Sequence, residues 1–94
     1  MGLYLTIPDM VESEELHSVS PAPDGVTFTI SLDHSNTVVQ LMQANTNGQH
    51  IPLVVLTTDA MILALDSVYV TEISIGTQGS PAVVTFLAQA VRFV

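Results

Sequence analysis

The sequence predicts a mainly β protein: a small antiparallel barrel of about six strands with one packed helix. Three observations carry that expectation. Apolar and polar residues alternate strictly from Val26 to Leu32. Short apolar segments recur along the chain, separated by turn signals such as Pro23-Asp24-Gly25 and Gly76-Thr77-Gln78-Gly79. A single stretch from Leu32 to Pro52, "LDHSNTVVQLMQANTNGQHIP", switches to helical spacing.

Gly2 to Ile7 reads as a first strand, with Leu3, Leu5 and Ile7 on one side and Pro8 as its stop. Met1 to Thr6 also fits the loose myristoylation pattern, but the same residues make a good strand. Asp9 to Gly25 is acidic and contains prolines, and we expect a long surface loop ending in the Pro-Asp-Gly turn. In Val26–Leu32, Val26, Phe28, Ile30 and Leu32 share the face that would be buried. A helix follows from about Ser35 to Asn47, with Asp33 or Ser35 placed to accept from its first amides. Its buried stripe would be Val38, Leu41 and Met42 with Ala44 beside them, and Gly48 would end it in a left-handed conformation. Leu53 to Leu56 is a continuous apolar run, which suggests burial on both faces. Thr58-Asp59-Ala60 is a tight hairpin loop leading into Met61–Asp66. In Val68–Ile75 the apolar parity changes, so a bulge is expected near Thr71-Glu72. Val83 to Val94 is the last strand.

Composition limits what such a domain does. At 94 residues the chain is one domain, 1–94, with a modest core. Yet it is 48% apolar and only 11% charged, with a mean hydropathy of +0.52. That surplus suits a subunit interface. No apolar run approaches the roughly 18 residues of a membrane span, so no membrane insertion is expected. The net charge is −8, with Arg92 the only Lys or Arg, and such a surface repels nucleic acid. No signal peptide is visible at the N-terminus.

Little points to catalysis. There is no cysteine, which removes thiolate chemistry and cysteine-bound zinc. His17, His34 and His50 show no paired metal spacing. Asp33, His34 and Ser35 are adjacent, whereas a triad converges from separate elements, and no Gly-x-Ser-x-Gly elbow occurs. Glu12, Glu14 and Glu15 read as a solvated run. We expect no catalytic residue, no metal site and no cofactor.

The last strand carries the candidate interface. Val84, Phe86, Ala88 and Ala90 would form one face of it, and Val83, Leu87, Val91 and Phe93 the other. A strand with two apolar faces needs two partners: its own core and something outside. Val83, Leu87, Val91 and Phe93 are therefore the expected contacts with a neighbouring subunit, or with the domain's own helix in a monomer.

The order of elements resembles a known family. A strand, Asp-x-Ser at a helix start, a short helix, Gly-x-His and then strands is similar to the haemolysin-coregulated protein (Hcp) family of type VI secretion. "VTFTISLDHSNTVVQLMQANTNGQHIPLVVLTT", "MILALDSVYVTEISIGTQG" and "PAVVTFLAQAVRFV" carry the resemblance, and "LYLTIPDM" is similar to that family's start. Related tail-tube proteins of contractile phages look similar. The resemblance implies a structural, hexameric ring subunit whose rings stack into the tube of a contractile injection system. It implies no reaction. The implied partners are other copies of the chain, secreted effectors and other injection-system components, and the implied location is the bacterial cytoplasm with export through that system. The segment between the first strand and Gly25 is shorter than in the family, whose long extension there bridges one ring to the next. The competing reading is a small monomeric or dimeric β-domain that binds a peptide or small ligand at the helix-barrel junction.

Overall fold

Alternation decides which side chains fill the interior, and β3 (Thr27–Leu32) shows it most plainly. Phe28, Ile30 and Leu32 are buried, while Thr27, Thr29 and Ser31 point outward. The computed structural model describes residues 2–8, 13–76 and 79–94. Its remaining elements are β1 (Leu3–Thr6), β2 (Glu14–Pro21), α1 (Asn36–Asn47), β4 (His50–Thr57), β5 (Ile62–Ser74) and β6 (Ala82–Phe93). All pairings are antiparallel, and the strands close into a barrel in the order β1-β2-β3-β6-β5-β4, with β4 returning to β1. Closure leaves no free sheet edge.

Leu5, Ile30, Leu32, Leu56, Leu65, Val68, Val84 and Phe86 fill the barrel. Phe28 and Phe86, directly opposite on β3 and β6, stack with centroids 6.3 Å apart. The helix adds Val38 and Leu41 to the same core. It lies against β5, at the barrel end where β3 finishes and β4 begins. The opposite end, formed by the starts of β1, β3 and β5 and the ends of β2, β4 and β6, is an open apolar mouth of about 470 Å³.

Six strands are present, but not the six that the pattern suggested. The expected loop over 9–25 holds β2 from Glu14 to Pro21, and residues 9–12 of it lie outside the described residues. A register shift between Leu16 and Ser18 puts the two inward side chains, Leu16 and Val19, three residues apart. That spacing breaks the alternation by which a strand is recognised. Conversely, the expected strands Met61–Asp66 and Val68–Ile75 are one continuous strand, β5. It bends at Ser67, which adopts a positive φ of 51°. The second irregularity, between Val70 and Glu72, is the bulge expected near Thr71.

The turns follow their residues. Asp24 Oδ1 accepts from the amides of Val26 and Thr27, both at 2.9 Å, and Thr27 Oγ1 donates to Oδ2 at 2.7 Å. Gly25 sits at φ 78°, which a side chain would disfavour. At the β4–β5 hairpin the Thr58 amide donates to the Met61 carbonyl at 2.9 Å. Of the expected helical stripe, Val38 and Leu41 are buried and Ala44 half-buried, but Met42 is exposed. The apolar stripe is narrower than expected, and Met42 lies beyond its edge with Val39. Gly48 ends the helix at φ 65° with its own and the next amide turned back onto Asn45 and Ala44. Leu53 and Val55 are half-buried on the outside of the run expected to be covered on both faces.

Leu41 is 1% exposed and is the helix's main anchor in the core. Leu41→Ala should lower unfolding free energy by about 2–5 kcal/mol in urea titration, with the β-dominated circular dichroism spectrum retained at low denaturant.

Candidate subunit interface

The adjacent Asp33, His34 and Ser35 fasten the helix rather than converge on a substrate. Asp33 Oδ1 lies 2.7 Å from His17 Nε2 on β2. His34 Nε2 donates to the Ile75 carbonyl just beyond β5, at 2.8 Å. The Ser35 hydroxyl donates to Glu14 of β2 and makes no cap bond to the helix, so the expected amide cap is absent there. The three side chains thus splay onto one strand, β2, and the residue just beyond a second, β5. Further along, Asn45 Nδ2 donates to the Val70 carbonyl at 2.7 Å, beside the bulge in β5. His50 packs edge-on against Tyr69 with centroids 5.4 Å apart. Among the described residues no group of three His, Cys, Asp or Glu is placed to hold a metal. No helix there is long and apolar enough to cross a membrane.

The structure separates the four residues expected to share one face of β6. Val83 and Leu87 stand on the outer face, 39% and 38% exposed, beside the buried Ala82, Val84, Phe86 and Ala88. Val91 instead packs on the core, and with Phe93 lines the open mouth alongside Leu3, Phe28 and Leu63. Ala90, expected inside with Phe86, is exposed. The parity of β6 therefore changes between Ala88 and Val91. The same change occurs on β5 between Leu65 and Val68, where Ser67 bends the strand, and Leu65 pairs with Val91 and Val68 with Ala88. Both strands rotate together at this barrel corner, and a face counted by twos along β6 does not survive it.

The outer surface around Val83 and Leu87 is polar on its β3 side, and on its β5 side it carries one carboxylate, Glu72, opposite Thr85. Ser31 sits opposite Val83, Thr29 opposite Thr85, and Thr27 opposite Leu87. Hydroxyls bond across the strands, Ser18 to Ser31 at 2.7 Å and Thr29 to Thr85 at 3.2 Å. The helix does not cover this face, because it packs on β5. Its own outward residues include Val39, 50% exposed, and Met42, and no residue of α1 is ionisable.

Arg92 is taken up within its own chain. Its Nε and Nη2 donate to Asp66 Oδ2 and Oδ1 at 2.8 and 3.0 Å, a bidentate pair on the outside of the barrel. These hydrogen bonds hold the Asp66 carboxyl below, and the Arg92 guanidinium above, their ordinary values.

A closed six-stranded antiparallel barrel with one helix fastened across its end is an Hcp-like fold. The chain is similar to the crystal structure of Hcp2 from Salmonella typhimurium, with a TM-score of 0.83 and 15% identity over 99% of this chain and 84% of that one. It is also similar to Hcp1 from Salmonella typhimurium, with a TM-score of 0.76 and 13% identity over 97% and 85%. A third likeness is to Hcp1 from E. coli EAEC 042, with a TM-score of 0.67 and 14% identity over 99% and 85%. The sequence matches no family model and no curated protein.

Removing the guanidinium tests the pair. In Arg92→Met the Asp66 carboxyl should titrate closer to 3.8 by NMR. Because the folded-state value is lowered, the pair's contribution to stability is present above the unfolded carboxyl's value and is lost as pH falls through the folded one. The stability difference between wild type and Arg92→Met should therefore shrink in acid.

Proposed function

We propose that the chain is a ring-forming tube subunit, six to a ring, of a type VI secretion or related contractile injection system. The observation that carries this reading is the Hcp-like fold matched over 99% of the chain. The exposed Val83 and Leu87 support it, since an outer strand face with large apolar side chains is the surface a neighbouring subunit would cover. In this role the chain catalyses nothing and binds no cofactor. Its partners are other copies of itself, other components of the system and effectors carried with the tube. It is made in the bacterial cytoplasm and leaves through the system.

The competing reading, a ligand site at the helix-barrel junction, has less behind it. The depression there, lined by Ile7, Leu41, Ala44 and Ile51 among others, measures about 180 Å³. Small-molecule sites usually span about 300–1,000 Å³.

Native mass spectrometry and negative-stain electron microscopy test the ring directly. Wild type should give a six-fold ring, and Leu87→Asp should give folded subunits with unchanged circular dichroism. Intact rings in Leu87→Asp would remove this face from the interface, and a wild-type monomer at all concentrations would remove the ring. Salt gives a second check. Copies carrying −8 each repel one another, and the bidentate Asp66 contact already engages Arg92 within its own subunit. The oligomer fraction should rise as salt screens that repulsion, over the range where the Debye length falls from about 30 Å toward 10 Å.

A further inference from the structure

The end of α1 carries a chemistry that the tube reading does not use. The chain has three asparagines, Asn36, Asn45 and Asn47, and only Asn47 is followed by glycine. We infer that Asn47-Gly48 is a self-modification site, at which the Asn47 side-chain amide is converted to aspartate and isoaspartate with water as the co-reactant, loosening the end of the helix. The inference does not depend on the ring reading above. The step balances without a cofactor. The Gly48 nitrogen attacks Asn47 Cγ, and the side-chain nitrogen leaves as ammonia, taking up the proton lost by the Gly48 amide. The cyclic imide that remains is opened by water. Breaking its bond from nitrogen to Cγ leaves aspartate. Breaking the bond from nitrogen to the main-chain carbonyl carbon leaves isoaspartate, whose main chain runs through the former side chain.

The surroundings select this residue. Asn47 is exposed, and its side chain makes no hydrogen bond to another described residue. Gly48 has no side chain to shield its nitrogen, and a Cβ placed there would meet nothing within 4 Å. Asn45 is restrained, because its Nδ2 donates to the Val70 carbonyl. Asn36 is followed by the buried, β-branched Thr37, which crowds the attacking nitrogen. Asp24-Gly25 offers the same arrangement of atoms, but both Asp24 carboxylate oxygens accept hydrogen bonds from Val26 or Thr27. At Asn47 the attack requires the last helical turn to open. Two bonds close that turn: the Gly48 amide to the Asn45 carbonyl at 3.3 Å, and the Gln49 amide to the Ala44 carbonyl at 3.0 Å. The first is longer than the usual range of about 2.7–3.2 Å, and helix ends fray readily. Either product then acts against the same turn. A carboxylate at position 47 stands at the negative end of the helix dipole. Isoaspartate also inserts a methylene into the main chain inside the loop that the two bonds close, so both cannot re-form as they were.

Incubation of the purified protein at neutral and mildly alkaline pH, followed by pepsin digestion in acid and peptide mass mapping, tests the site. The peptide holding Asn47 should gain the mass of amide-to-acid conversion, faster at the higher pH because the attacking nitrogen must lose its proton. It should also become a substrate for an isoaspartyl methyltransferase. Peptides holding Asn36, Asn45 and Asp24 should stay unchanged. The converted protein, separated from the remainder by anion exchange, should exchange its Gly48 and Gln49 amide hydrogens faster than wild type. Asn47→Gln, incubated alongside, should show neither change. Conversion at Asn47 in the urea-unfolded chain but not in the folded one would mean that the cap protects the site, and would overturn the inference. Equal conversion at Asn36 and Asn47 would overturn the selection. Converted protein exchanging those amides at the wild-type rate would overturn the loosening of the helix end.

Discussion

Closing six strands around a core this small forces two of them to turn sharply, and the rest of the surface follows from that turn. At Ser67 the backbone adopts a positive φ, uncommon for a residue with a side chain. On one side of it Leu65 and Val91 face the interior, and on the other Val68 and Ala88 do. The corner sends Phe93 to the open mouth while leaving Val83 and Leu87 on the outer sheet. It also leaves Asp66 and Arg92 on the outside, where they find each other diagonally across β5 and β6. One bend thus places the exposed apolar face, the mouth and the engaged cation.

The helix solves a second problem of a small barrel, an end that water would otherwise reach. Twelve residues make a helix that is marginal alone, so its stability comes from what it touches. Val38 and Leu41 supply apolar burial. Asp33, His34 and Ser35 tie its start to β2 and to the residue after β5, and Asn45 ties its second half to Val70. Two of the polar ties are exposed and two part-buried, so each contributes modestly; their effect is to fix the direction in which the helix crosses the barrel end. With that direction fixed, Val39 and Met42 are held outward.

Much of this was legible in the sequence where period and residue type agreed. β3 alternates without interruption, Gly48 stands at the helix end, and the parity change near Thr71 marked a real bulge. The number of strands came out right through two opposing errors. β2 was hidden because its bulge spaces Leu16 and Val19 by three, and because its other side chains are mostly polar and exposed. β5 was divided because a bend at Ser67 shifts parity in the same way as a strand break. The candidate face on β6 was half legible. Val83 and Leu87 follow from counting by twos, but the change beyond Ala88 is dictated by the partner strand, and no local pattern in β6 announces it. The roles of Asp33, His34 and Ser35 were not legible, since their partners are up to 41 residues away.

Charge is the remaining constraint, and it acts by where it is missing. A surface of net charge −8 keeps copies apart over a distance of about 8–10 Å at ordinary ionic strength. The described carboxylates of Glu14, Glu15, Asp24, Asp33, Asp59, Asp66 and Glu72 lie on β2, in turns, or on β5. The outward surface of α1 is filled instead by amides, hydroxyls and exposed aliphatic side chains, while that of β6 has Glu72 beside Thr85 at one end and the Arg92–Asp66 pair at the other. Hydroxyls such as Thr29 and Thr85 already bond to each other across the strands, so covering them leaves few donors without a partner. Where charge is sparse and hydroxyls are satisfied, desolvation is cheap, so in the proposed ring the exposed Val83 and Leu87 mark the part of the outer sheet that costs least to cover.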